Sequence, residues 1–146
     1  MTWTSLRYAN IYGPRQDPFG EAGVVAIFCQ NLLDGVVPTI HWDGEQTRDF
    51  VYVGDCARAN LLALEAGDGR AYNIGTGHGT SVNTLFATLT EVSGRRVTPE
   101  RGPRRPGDAR HSYLDCSKAK RELGWQAEVS LQEGLTRTWK HYLQAK

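Results

Sequence analysis

Six arginines crowd residues 95–110, at positions 95, 96, 101, 104, 105 and 110, against only Glu100 and Asp108 in the same stretch. Planar guanidinium forks match phosphate oxygens two at a time. The stretch therefore suggests an edge that grips a phosphorylated ligand, while composition alone favours a solvated loop kept soluble by charge. A second phosphate candidate is the glycine loop Gly75, Gly77 and Gly79. Backbone N–H groups cradle phosphate where such a loop opens a helix, but the last glycine of G-x-G-x-x-G would fall at Thr80, so a tight turn is the expected role. Two local groupings could do hydrolytic chemistry, Ser81 with His78, and Ser112 with His111 and Asp108. A serine, a base and an orienting carboxylate attack activated esters or amides when they converge, although no G-x-S-x-G elbow is present. Tyr142 and Lys146 have the spacing of a proton-transfer pair, at a chain end where helices fray. No H-x-x-x-H, H-x-x-E or C-x-x-C spacing occurs, so no metal site is expected.

Positioning these groups requires strands and helices, and the punctuation between them is clear. Residues 5–12 are rich in β-formers and stop at Gly13-Pro14. From Glu21 to Gly35, Val24, Ile27, Phe28 and Leu32 recur at helical spacing. A short strand is expected at 39–41 and another at 48–53, after the polar loop 43–47. Asp55 is placed to cap a helix reaching Gly67, and 71–74 form a strand entering the glycine loop. Thr80 or Ser81 caps an amphipathic helix with Val82, Leu85, Phe86, Leu89 and Val92 on one face, closed by Gly94. Ser117 caps a short helix ending at Gly124. Ser130 and Glu133 form a capping box that opens a last helix with Leu131, Leu135, Trp139 and Tyr142 inward. Strands and helices mix without the strict alternation of a complete doubly wound sheet.

The 146 residues, 40% hydrophobic and 23% charged, describe one globular α/β domain spanning 1–146. A net charge of +1 provides no pull toward nucleic acid or anionic membrane. The opening residues lack a signal-peptide pattern, the longest apolar run is too short to span a bilayer, and three widely spaced cysteines suggest reduced thiols in the cytoplasm.

Six segments in fixed order carry a more specific message: LRYANIYGPRQ (6–16), DGEQTRDFVYVGDCARANLLALE (43–65), YNIGTG (72–77), RPGD (105–108), DCSKAKRELGW (115–125) and SLQEGLTRTWKHY (130–142). Together they closely resemble the C-terminal half of the NAD-dependent epimerase/dehydratase family, the extended short-chain dehydrogenases typified by the UDP-glucose 4-epimerases. The resemblance implies a small mixed α/β lobe, equivalent to the C-terminal domain of that family, that holds a nucleotide-sugar such as a UDP- or dTDP-sugar. It implies substrate contacts at Asn10, Arg48, Phe50, Arg105 and Asp108: the two arginines on the pyrophosphate, Asp108 on the ribose hydroxyls, Phe50 lining the nucleotide. Tyr8 matches a residue that borders the nicotinamide. Two departures stand out, Trp42 where the family usually has glycine before D-G-x-Q, and Gly54 in place of an acidic residue.

Residues 1–146 contain no G-x-x-G-x-x-G and no serine with Tyr-x-x-x-Lys ahead of the first strand. The expectation is thus a truncated, UDP-glucose 4-epimerase-like lobe, with no NAD cofactor of its own and no epimerisation by the chain alone. One alternative is a cofactor-independent esterase using Ser81, His78, Ser112, His111 and Asp108 on small esters. Another is an interaction unit, or gene fragment, that needs an N-terminal partner. A bare first strand would favour a homo-oligomer.

Overall fold

The computed structural model describes residues 1–19 and 23–145. The chain runs β1 (Thr4–Tyr8), β2 (Asn10–Tyr12), α1 (Val24–Asp34), β3 (Thr39–His41), β4 (Thr47–Arg48), β5 (Phe50–Tyr52) and α2 (Val53–Glu65). It continues through β6 (Arg70–Ile74), β7 (Thr80–Ser81), α3 (Val82–Ser93), β8 (Glu100–Gly102), β9 (His111–Ser112), α4 (Ser117–Leu123) and α5 (Leu131–Gln144). This is the mixed α/β lobe expected. The helix anticipated from Glu21 begins at Val24; Glu21 itself, like Lys146, lies outside the described residues.

The first strand is not continuous, as residues 5–12 suggested. β1 pairs in parallel with β6, and β2 pairs in parallel with β5. The changeover sits at Ala9: its N–H bonds Ile74 O at 2.9 Å, while the next N–H, from Asn10, bonds Asp49 O at 2.8 Å. Successive N–H groups of an extended chain point to opposite edges, so the two partners flank the segment on opposite sides. Among the described residues, the edge of β1 away from β6 has no strand partner.

The strand expected at 48–53 likewise breaks, at Asp49. β4 pairs antiparallel with β7 and parallel with β9, whereas Phe50 starts the separate strand β5. Asp49 is buried, and its carboxylate accepts the N–H groups of Thr76, Gly77 and Leu114 and the hydroxyl of Thr76. Buried polar groups require partners, and that requirement turns Asp49 inward and interrupts the ladder.

Two helix starts also differ from expectation. α2 begins at Val53, so Asp55 lies inside its first turn rather than capping it. Buried there, Asp55 accepts the N–H groups of Glu128 and Val129 and tethers the segment before α5. α4 is preceded by Cys116, and Asp115 rather than Ser117 accepts its first free N–H, that of Ser117. Ser81 and Ser130 do cap α3 and α5, accepting from Thr84 N and Glu133 N. The capping box is half formed, because the Glu133 side chain pairs with Arg137 instead.

The core has two parts. Tyr12, Phe28, Leu32, Ile40, Phe50, Leu85, Leu89, Leu135 and Trp139 pack α1, α3 and α5 together against β3 and β5. Val51, Cys56, Ala59, Tyr72, Ile74, Leu123 and Trp125 fill the space between β5, β6, α2 and α4. No described helix is long and apolar enough to cross a membrane.

Candidate functional site

A cavity of about 500 Å³ opens where β2, β3, β4, β5 and α1 meet the loop between β8 and β9. Its walls include Asn10, Arg48, Phe50, Arg105 and Asp108, the five residues expected to contact a nucleotide-sugar. They come from three separate places in the chain, and the parallel pairing of β2 with β5 sets Asn10 directly across from Phe50. Phe50 is buried and meets Tyr12 edge-on at 6.5 Å. Burial, reinforced by Tyr52 and Asp55, pushes the Tyr12 hydroxyl far above its ordinary range, so Tyr12 stays neutral.

Arg48 reaches over the loop. One terminal nitrogen donates to Thr47 O and Ala109 O, each at 2.8 Å, and the other to Asp108 Oδ1 at 2.5 Å. No hydrogen bond uses Asp108 Oδ2 among the described residues. Arg105 differs in kind. It forms no ion pair among the described residues, and its guanidinium lies 2.9 Å from His41 Nε2. One guanidinium is thus held against a carboxylate and the other against an imidazole nitrogen.

Behind this wall sits a second layer of arginines. Arg110 binds Asp43 through both carboxylate oxygens at 2.7 Å and holds that acid below its usual range. Arg104 and Arg110 lie 4.3 and 4.5 Å from the centre of the Trp42 ring. Trp42 has φ of 61°, a left-handed backbone in which glycine is the unstrained residue. The departure noticed at this position is therefore a large aromatic at a glycine-like site, held by two stacked cations. Gln46 donates to His41 O, while the buried Oε1 atoms of Gln16 and Gln46, both lining the cavity, have no hydrogen-bond partner among the described residues.

The glycine loop does not form a phosphate cradle. The N–H groups of Thr76 and Gly77 are already donated to Asp49, and a Cβ at Gly75 would collide with that same carboxylate. These residues fit an internal tether rather than a dinucleotide. Tyr8 donates to Asn60 Oδ1 at 2.9 Å, beside α2 and away from the cavity.

The hydrolytic residues do not assemble either. Ser81 is spent on the α3 cap and bonds Thr84 Oγ1, His111 Nδ1 lies 3.1 Å from Thr47 Oγ1, and Asp108 holds Arg48. His78 lines a different cavity, with Tyr113 and Asp115. No serine–histidine hydrogen bond joins any of the five among the described residues.

Sequence reasoning passed over Asp49 and gave His41 no role. A lone carboxylate inside the β-rich run RDFVYV is the available signal for Asp49, since such a residue must find donors when buried. Nothing local marks His41, whose importance comes from Arg105, sixty-four positions away.

Comparison with known proteins shows what the chain is similar to. The sequence model of the NAD dependent epimerase/dehydratase family matches residues 1–75. The UDP-glucose 4-epimerase of Mycolicibacterium smegmatis is 48% identical over 131 residues, covering 89% of this chain and 42% of that protein. A UDP-glucose 4-epimerase of Thermotoga maritima, solved with UDP-glucose, superposes with a TM-score of 0.96 at 54% identity, covering 99% of this chain and 47% of that one. A UDP-N-acetylglucosamine 4-epimerase of Methanobrevibacter ruminantium, solved with UDP-N-acetylmuramic acid, gives 0.95 at 32% identity, with 100% and 47% coverage. The chain spans about half the length of the relatives it matches.

Proposed function

We propose, since this chain belongs to the NAD dependent epimerase/dehydratase family, that it forms the C-terminal lobe of the family's fold and binds a nucleotide-sugar, of the UDP-glucose type, in the cavity of Arg48 and Arg105. The observation that carries this reading is the convergence of Asn10, Arg48, Phe50, Arg105 and Asp108 on one wall set. A diphosphate needs cations, a ribose needs an acceptor for its hydroxyls, and a base needs an apolar face. The cavity has all three in Arg48 and Arg105, Asp108, and Phe50.

The two arginines are proposed to act unequally. Arg48 keeps Asp108 as counter-ion, which orients it and offsets its charge. Arg105 has no counter-ion among the described residues and supplies its uncompensated positive charge to the diphosphate. Charge-assisted hydrogen bonds contribute about 1.5–3 kcal/mol each, so Arg105→Ala is expected to weaken UDP-glucose binding about tenfold or more in calorimetry. Its melting temperature should stay unchanged, because Arg105 is exposed and outside every ion pair described. Heat that is absent at millimolar UDP-glucose, or an affinity indifferent to Arg105→Ala, removes the reading.

Hydride-relay epimerisation would then draw on a dinucleotide-binding half with its own proton-transfer residues. The unpaired edge of β1, together with Trp3, Tyr8, Leu61 and Leu64, is the face we assign to that half. Without it, the same face favours association between copies of the chain. Among the described residues, no hydrogen bond between the serines and histidines supports an esterase.

A further inference from the structure

His41 is the cavity residue whose state bears most on Arg105. Its Nδ1 lies 3.2 Å from Pro103 O, and a carbonyl only accepts, so Nδ1 carries the proton. Nε2 then presents a lone pair, and Arg105 donates into it at 2.9 Å. The ring has a prepared seat. β3 and β8 run parallel with His41 opposite Gly102, where a Cβ would stand 2.7 Å from Nδ1. From behind, Gln46 holds the His41 carbonyl at 3.0 Å and Trp42 N bonds Gly102 O at 2.9 Å.

We propose that His41 is a positioning residue of the diphosphate cavity: neutral, it latches Arg105 away from the ligand, and protonated, it releases Arg105 and adds a second positive charge beside it. This rests on the nucleotide-sugar reading and says how binding at that site is regulated. A protonated imidazole has no lone pair for a guanidinium, and two cations at hydrogen-bond distance repel. Releasing the latch turns Arg105 from a partner of His41 into a partner of phosphate. Binding is therefore stronger with His41 protonated than with it neutral, and it is coupled to the uptake of a proton.

The other charged groups around His41 and Arg105 already have partners. Arg48 and Asp108, on β4 and the loop before β9, neutralise each other. Asp43, just after β3, is held by Arg110, and Arg101 beside Gly102 donates to Asp43 O and Asn83 Oδ1. Arg104 lies over Trp42, and Glu45 accepts from Asn83. Tyr12, on β2, stays neutral throughout. His111 is the other nearby imidazole and faces Thr47 on β4.

Calorimetry of UDP-glucose on the intact chain between about pH 8.5 and pH 5.5 tests this, since both phosphate charges of that diester persist over the range. Wild type is expected to bind about tenfold more tightly at the low end, His41→Phe to show a flat profile, and His111→Asn to keep the wild-type slope. A flat wild-type profile, or a slope surviving in His41→Phe, overturns the latch while leaving the binding site standing. Nitrogen-15 NMR of the imidazoles reads the latch without any ligand. The Nδ1–H form is expected, with an Nε2 shift that moves in Arg105→Ala; the Nε2–H form, or no response to Arg105→Ala, overturns it even should UDP-glucose fail to bind.

Discussion

Trp42 shows how a single residue can be both strained and held. A left-handed backbone costs a bulky residue about 1–2 kcal/mol, and each cation stacked on an exposed indole returns about 0.5–1 kcal/mol. With Arg104 and Arg110 both against the ring, the two effects nearly cancel. Trp42→Gly, which relieves the backbone and loses both stacks, should therefore leave unfolding free energy within about 1 kcal/mol of wild type. Trp42→Ala loses the stacks yet keeps the strain, and should be destabilised by about 1–2 kcal/mol in urea titration. Equal losses in the two variants would mean the backbone angle carries no cost. Asp49 is the opposite kind of residue: it touches no wall of the cavity, but by gathering four donors it places Arg48 on one side of itself and Phe50 on the other.

Among the elements, α3 and α5 pack against each other and enclose one side of the larger core, and each starts at a serine whose oxygen accepts the fourth N–H of the cap. Removing such a cap costs about 1 kcal/mol. Ser81→Ala is expected to lower stability by that amount in chemical denaturation and to leave UDP-glucose affinity unchanged, because its hydroxyl faces Thr84 and not the cavity. A change in affinity without a change in stability would assign Ser81 a role the geometry denies it. β4 is only two residues long, yet its register with β7 and β9 brings Arg48 across from Thr80 and Ser112 and over to Asp108. Short elements of this kind position a site through their neighbours rather than through their own stability.

At the scale of the whole molecule, one face remains apolar. Trp3 is 53% exposed, Leu61 65% and Leu64 83%, and all three line one cleft with Leu6 and Tyr8 of β1. Contiguous exposed apolar residues next to a free strand edge favour association. The double variant Leu61→Lys, Leu64→Lys should shift light scattering toward the monomer and leave the melting temperature unchanged. A wild-type chain that stays monomeric at high concentration would refute the assignment of this face. The diphosphate cavity lies elsewhere, so the variant should bind UDP-glucose as wild type does.

Much of this was legible in the chain alone. Helical periodicity located α1, and together with serine starts α3 and α5, because an amphipathic helix writes its buried face into local spacing. The ordered segments from LRYAN to SLQEG pointed to the family, and with it to Arg48, Arg105 and Asp108. Local spacing could not show that residues 4–12 serve two different strands, or that Asp49 breaks the run it sits in, since both depend on hydrogen-bond partners far along the chain. Nor could it show that Trp42 adopts a left-handed backbone and that Arg105 rests on His41. Residue types and their periodicity determined the elements and the chemistry available; long-range pairing decided which charges neutralise one another and which one is left without a counter-ion, because electrostatic partnership depends on distance in space and not on separation in sequence.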